Sequence, residues 1–417
     1  MKQKNKIPKD WQVIKLNNLF ETIPNLSNVR EDLTDIAQKV MYIHYGDIHT
    51  NSIHEKINLK EDTLPYLLDN KIKKDINDML LKNGDVIITD ASEDYEGIAK
   101  SVEITNINNK KVVAGLHTIV LRPIKNIVAI GYGSYLLQMP ITSKKLKSIS
   151  QGTKVISISF QLIKDLDLFL PPIKEQEKIV EILELWDKTI ETTKKLIEQK
   201  KLQKKYLMQK LLTGKIRLKG FKDKWTKYKL GNICNFISGF SFSSEDFCDN
   251  GILLVKISNI SGGTIINNED VFLPLDYIDK YEQIVIKKYD LLIAMSGATT
   301  GKLAINNSNK KMLLNQRVGI IRALNCDQVF INQYLFAFRD KFLQMSYGGA
   351  QPNISSNDIK KIIVFIPTDI AEQKAIANIL STADNQIDLL EQKLSKLELE
   401  KKGLMQKLLT GKIRVGR

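Results

Sequence analysis

Cysteine is scarce in this 417-residue chain, which has only Cys234, Cys248 and Cys326, without a CxxC spacing. An odd, scattered set supports neither a disulfide framework nor a zinc ribbon, and it fits a reducing, cytoplasmic compartment. Histidine is almost as rare, with four residues, of which His44, His49 and His54 recur at five-residue steps. That step does not converge on a metal from a strand or a loop, so no metal site is expected. Long apolar runs are missing too. A membrane helix needs about 20 mostly apolar residues, and the longest uncharged stretch, residues 126–143, is broken by Gly131, Gly133, Gln138 and Pro140. The amino-terminal MKQKNKIPKDWQVIKL lacks the apolar core of a secretory signal. The expectation is a soluble cytoplasmic protein with no membrane partner.

Catalytic signatures are also lacking. GATTGKL (residues 297–303) imitates a phosphate loop, but it has one residue too few between its glycines, and Leu303 stands where a hydroxyl would hold magnesium. Glu198-Gln199-Lys200, Glu372-Gln373-Lys374 and Glu391-Gln392-Lys393 have the spacing of a nuclease half-motif but lie on heptad-patterned helices, where they read as solvated faces. There is no GxSxG, no Cys–His pairing, no NPPY-like amino-methyltransferase string and no glycine-rich cofactor loop after a strand. The chain is expected to be non-catalytic and to hold no cofactor of its own.

What the chain does have is positive charge and an internal repeat. Lys and Arg number 62 against 47 Asp and Glu, a net charge of +15, which points to a polyanionic partner. The surplus is spread out, and its largest share, 13 basic against 7 acidic groups, lies in residues 170–221. LMQKLLTGKIR occurs twice without change, at 207–217 and 404–414, an offset of 197 residues. At that offset Gln176 matches Gln373, Leu183 matches Leu380, Asp187 matches Asp384 and Ile190 matches Ile387. Upstream, ISQGTKVISISFQLIKDLDLFLP parallels MSYGGAQPNISSNDIKKIIVFIP, and GLHTIVLRP parallels NQRVGIIRA. The chain therefore reads as two copies of one unit, a mixed α/β globular segment followed by a long helix.

Both helical segments carry apolar residues at alternating steps of three and four, the pattern of a coiled-coil seam. In the second these are Leu380, Ala383, Ile387, Leu390, Leu394, Leu397, Leu404 and Leu408, with Lys401 interrupting; in the first, Thr193, Lys200 and Lys204 dilute the seam. Connectivity predicts that the two helices pack antiparallel, giving a dumbbell with a pseudo-two-fold axis. In the globular segments, DVIIT, HTIVLRP, DLLIAM and VGIIRA read as short buried strands, and residues 329–344 as a helix with a counterpart near 127–137.

YIHYGDI, ASEDYEGIAK, SGATTGK, NQRVG, GGAQPNIS, PPIKEQEKI, IAEQKAI and the paired LMQKLLTGKIR follow one another in an order that resembles the specificity subunits of type I restriction-modification systems. The resemblance covers nearly the whole chain. It implies target-recognition domains at 1–172 and 219–368, a central spacer helix at 173–218 and a carboxy-terminal spacer helix at 369–417. It further implies that each domain reads one half of an asymmetric bipartite site in double-stranded DNA, and that the helices fix the spacer and dock two methyltransferase subunits. Those partners would carry S-adenosylmethionine for adenine methylation, and two restriction subunits using ATP and magnesium could join them. The competing reading is a structural protein that bridges two ligands without binding DNA. A more remote one is an enzyme built on His44, His49 or His54.

Sequence readers use Arg or Lys for guanine, Asn or Gln for adenine, and cations for phosphate. On that basis the first domain's candidate DNA contacts are Tyr45, His49, Ser92, Tyr95, Lys100, His117, Gln151 and Lys154. Those of the second are Lys256, Ser258, Ser296, Thr299, Lys302, Gln316, Arg317, Gln351 and Asn353. Partner docking is expected at the helix starts, Glu175, Gln176, Glu372 and Gln373, and at the twin ends through Met208, Leu211, Leu212, Met405, Leu408 and Leu409.

Overall fold

The computed structural model describes residues 7–416 apart from 51–55, 73–74, 96, 125–126, 153, 267, 269 and 346–352. The chain divides into two compact units. One holds residues 1–194 and 393–417, the other residues 195–392. Each unit therefore contains a globular domain, the first part of the long helix that follows it, and the last part of the other long helix.

The domain of the first unit is built on a five-stranded sheet. Its order is Phe20–Ile23, Thr118–Pro123, Val86–Thr89, Ser101–Thr105 and Lys56–Asn58. A four-stranded sheet accompanies it, in the order Val112–Ala114, Val40–Ile43, Tyr66–Leu67 and Leu33–Thr34. The second unit repeats the plan. Its larger sheet has six strands, with Cys234–Ser238, Val318–Ala323, Leu291–Ala294 and Leu303–Ile305 in the matching places. Its smaller sheet again contains a parallel pair, Ile252–Val255 with Met312–Leu314. These strands are apolar on both faces: Val86–Thr89 and Leu291–Ala294 are buried along their whole length, as expected of short runs without polar alternation. The four sequence-predicted strands form in place, each within a residue at either end. The expected helix over 329–344 divides into Gln328–Ala337 and Asp340–Met345, and its counterpart is Gly133–Gln138.

A two-stranded antiparallel ribbon closes each domain. Gln12–Lys15 pairs with Asp167–Leu170, and Trp225–Lys229 with Ile363–Pro367. The ribbon brings the domain's first strand beside its last, where the chain enters the long helix, Ile173–Leu211 or Ile370–Leu408. Within each unit the helices run antiparallel, with Asp187 opposite Lys401 and Lys194 opposite Glu398 in the first, and Lys204 opposite Asp384 and Lys201 opposite Glu391 in the second.

The lysines that appear to interrupt the seam belong to it. The Lys401 ammonium is buried and lies 2.6 Å from Asp187. Lys204 and Asp384, their equivalents at the repeat offset, pair in the other unit. A buried pair of this kind adds little net stability, but it penalises every register that separates its charges.

The helix starts and the twin helix ends, expected to dock partners, pack against the domain cores. Leu408 and Leu409 belong to the core of the first domain and Leu211 and Leu212 to that of the second, all four at most 4% exposed, and Met405 and Met208 pack half-buried against the same cores. Gln176 is fully buried: its Oε1 accepts from Ala129 N–H (2.8 Å) and its Nε2 donates to the carbonyls of Ile127 and Pro171. Gln373 does the same with Asp327 N–H and the Pro367 carbonyl. Glu175 receives the Arg414 guanidinium at 2.7 and 2.8 Å and the Trp11 indole N–H at 3.2 Å. Glu372 receives Arg217 and Trp225 in the same way. Breaking such a pair strands a buried charge, a loss of about 3 kcal/mol or more. The eleven-residue identity thus has an internal cause: one sequence makes the same joint twice, tying a helix end to a domain and to the start of the other helix.

Candidate nucleic-acid interface

Among the described residues, the candidate DNA contacts lie on short segments next to the buried strands, with Tyr45 and His49 on the helix Tyr45–Thr50, Ser92 on the strand Ala91–Ser92 and the others mostly on turns, and matched hydrogen bonds recur in the two scaffolds. After Val40–Ile43, Asp47 folds back to accept from His44 N–H (3.2 Å); after Ile252–Val255, Asn259 accepts from Lys256 N–H (2.9 Å). Arg122 grips Asp85 through two bonds of 2.6 and 2.9 Å, as Arg322 grips Asp290 at 2.6 and 2.8 Å. The hairpin loop after Val86–Thr89 returns through Ala99, whose φ is +58°, and that after Leu291–Ala294 through Gly301 at +81°. Alanine carries strain in this left-handed conformation, which glycine adopts freely.

In the first domain these segments bring Tyr45, His49, His117, Lys100 and Ser92 together. The Tyr45 ring lies 5.9 Å from His49 and 5.2 Å from His117, both edge-on, and 4.6 Å from His44. Lys100 Nζ donates to the His49 carbonyl at 3.4 Å. Ser92 and His49 both crowd Gly97, where an added Cβ would fall 2.3 Å from Ser92 Oγ and 2.8 Å from His49 Cε1. Gln151 bridges to Ser157, which pairs with Ala91 beside Ser92. Tyr95 is exposed on the same hairpin loop, and Lys154 is exposed close to Gln151. Beneath them Asp90 faces His117 at 3.4 Å. Burial raises its carboxyl above the usual range although His117 opposes the shift, and burial followed by the Arg30 charge lowers the His44 imidazole.

In the second domain the equivalent loops gather cations and hydroxyls. Met295 N–H donates to the Arg317 carbonyl (2.9 Å), and Arg317 N–H to Asn315 Oδ1. Thr299 Oγ1 reaches the Ile257 carbonyl at 3.4 Å, beside Lys256 and Ser258. Lys302 closes the same hairpin by donating its N–H to the Thr299 carbonyl. Gln316 is exposed next to Arg317, and Ser296 bridges to Asn353. Among the described residues, Ser296 Oγ is buried without a hydrogen-bond partner. Gln351 lies outside the described residues, as does His54.

Sequence reasoning missed an aromatic platform in the second domain. Phe240 is 46% exposed and bridges to Asn315. Its ring lies 5.1 Å from Phe242 and 5.0 Å from Tyr281, and the Lys280 ammonium stands over Tyr277 and Tyr281 at 4.9 and 5.6 Å. The available signal was SGFSF, two aromatic residues in a chain only 7% aromatic, in a loop that continues a strand.

GATTGKL is the turn of an antiparallel hairpin between Leu291–Ala294 and Leu303–Ile305, so it lacks the following helix that a phosphate loop requires. Among the described residues no group of three or more His, Cys, Asp or Glu side chains could hold a metal ion, and no helix is long and apolar enough to cross a membrane.

Two mixed α/β domains with one scaffold and different loop chemistry define a tandem recognition protein. The chain belongs to the family described as the type I restriction modification DNA specificity domain, which matches residues 8–201 and again 222–399. It is 33% identical over 287 residues to the type I restriction enzyme MjaVIII specificity subunit of Methanocaldococcus jannaschii, covering 65% of this chain and 67% of that one. It is 29% identical over 424 residues to the putative MjaX specificity subunit of the same organism, covering 98% and 95%. The type I restriction-modification S subunit of M. genitalium shares the fold, with a TM-score of 0.62 at 16% identity over 98% of each chain.

Proposed function

We propose that this chain is the DNA sequence-recognition subunit of a type I restriction-modification complex, each globular domain reading one half of an asymmetric bipartite site. The observation that carries this reading is the contrast between equal scaffolds and unequal loops. Asp47 and Asn259, or Arg122 and Arg322, do the same work in both domains, whereas the readers differ: Tyr45, His49 and His117 in one, Lys256, Ser258, Arg317 and Phe240 in the other. Two identical readers on a pseudo-symmetric chain would select a palindrome; two different ones select unlike half-sites.

The chemistry belongs to partners in this reading. Two methyltransferase subunits supply S-adenosylmethionine and methylate adenine, and restriction subunits using ATP and magnesium join the same assembly in systems that cleave. With the twin helix ends committed to the domain cores, docking falls to apolar residues that the long helices leave outside. Leu202 in one unit and Leu399 in the other occupy the same repeat position and are 66% and 71% exposed, and Tyr206 is 53% exposed one turn beyond Leu202. Such residues on an otherwise charged helix suit a partner helix packing alongside.

The test is DNA binding by the chain assembled with its methyltransferase subunits, measured against salt. Affinity that falls linearly with the logarithm of salt concentration, with a large excess for one bipartite sequence, is the expected result. Binding without sequence preference, or none at all, would overturn the proposal.

A further inference from the structure

The structure assigns a redox modification site to the second domain: Cys234 and Cys326 form a thiol pair set to close reversibly into an intramolecular disulfide. Their Sγ atoms lie 3.9 Å apart although 92 residues separate them. The fold creates this proximity through the main chain. Cys234 opens the edge strand of the larger sheet and pairs with Ala323, and both Leu324 and Asn325 donate their N–H groups to the Ile233 carbonyl. That turn folds the chain back so that Cys326 lies against Cys234, with its own Sγ also 3.4 Å from the Ile233 carbonyl. A disulfide needs the sulfurs about 2 Å closer, a displacement on the scale of a side-chain torsion adjustment.

The two thiols are unequal, as a nucleophile and its resolving partner need to be. Cys234 is buried and Cys326 is partly exposed. The hydrogen bond between them lowers the Cys326 thiol; it raises the Cys234 thiol, and burial raises that one further. Cys326 thiolate therefore attacks first. Against a hydroperoxide, the Cys326 sulfur takes one peroxide oxygen and becomes a sulfenic acid, the O–O bond breaks, and the other oxygen leaves as water or alcohol with the proton that Cys326 gave up. The Cys234 sulfur then displaces that oxygen, the S–O bond breaks, and water leaves with the Cys234 proton. Two thiols lose two electrons and the peroxide gains them. In a reducing compartment such a bond is transient, and low-molecular-weight thiols reverse it.

Its place gives the bond a consequence. Asp327, the next residue, donates its N–H to Gln373 Oε1 at 2.7 Å and caps the helix Gln328–Ala337 through Phe330 N–H at 2.8 Å. Oxidation would thus lock the edge strand to the point where the domain grips the start of the second long helix. The first domain has Phe20 and Asn126 at the matching positions and cannot form the bond. Cys248, which donates to the Asn250 carbonyl at 3.1 Å, is the internal control.

The experiment treats the native full-length chain with hydrogen peroxide, blocks remaining thiols, digests it without reductant and identifies the peptides by mass spectrometry. The expected product joins the peptides of Cys234 and Cys326 with the loss of two hydrogens, leaves Cys248 alkylated, and disappears with dithiothreitol. Cys234→Ser should instead leave a sulfenic acid at residue 326 that dimedone traps. Cys326 remaining alkylated under conditions that oxidise Cys248, or passing to sulfinic acid without the crosslink in the wild-type chain, would overturn the assignment.

Discussion

Phe240 and Leu26 take equivalent places in the two domains, each donating its N–H to the end of a matching strand, at Leu314 and Ala114. Leu26 is 9% exposed and Phe240 is 46%. An exposed ring beside Arg317 and Lys256 has a use on DNA, as an apolar contact to a thymine methyl in the major groove. Phe240→Ala should relax recognition at one base pair of one half-site, by about 1 kcal/mol for one buried methyl contact, and leave the other half-site unaltered; binding to single-base variants of the site reads this directly. Glu103 poses a different residue-scale question. It is buried beneath Gly131 and Ser134, whose N–H groups it accepts, and burial outweighs them and raises its carboxyl to about 7. The folded carboxyl stays protonated while the unfolded one ionises above its ordinary value of 4.5, so its contribution to stability falls as pH rises from there to about 7 and is level beyond. The stability difference between wild type and Glu103→Gln should shift against the wild type by about 3 kcal/mol over that window, as read by urea unfolding at several pH values. An equal dependence on pH in both proteins would contradict it.

At the scale of elements, the long helices were legible in the sequence from their heptad seams: the expected starts at 173 and 369 meet the observed Ile173 and Ile370, whereas the expected ends at 218 and 417 overrun Leu211 and Leu408, because Gly214 and Gly411 turn the chain out of each helix. What the seam residues pack against was not legible. The pattern of Leu404 and Leu408 is the same whether they meet a helix or a domain core, and only the tertiary fold shows that Leu408 and Leu409 finish the core of the first domain. Lys401 and Lys204 looked like defects for a related reason, since their partners Asp187 and Asp384 lie about 200 positions away in the sequence. The candidate contacts were found as a set but not as a cluster: Tyr45 and His49 lie one turn apart on the helix Tyr45–Thr50, a proximity that four-residue spacing carries, but no spacing encodes their approach to His117. If the outer helix face docks the methyltransferase, Leu202→Glu combined with Leu399→Glu should abolish co-purification of that subunit while the chain's melting temperature changes by only about 1–2 °C, since both side chains are already exposed. Assembly unchanged by the pair would place docking elsewhere.

For the whole molecule, the repeat explains more than the charge does. The +15 surplus suggested a polyanion, but it is thinly spread and would have suited many proteins. Duplication instead supplies two readers on one chain, and the divergence of their loops lets them read different sequences. Whether the two domains read their half-sites independently is decided by a genome-wide adenine-methylation map. The map would be made in cells expressing this chain with its methyltransferase, and made again after residues 1–170 are replaced by those of a relative. The expected motif is bipartite and asymmetric, and one half of it changes on replacement while the other half and the spacer length stay as they were. A change in both halves, or in neither, would contradict it.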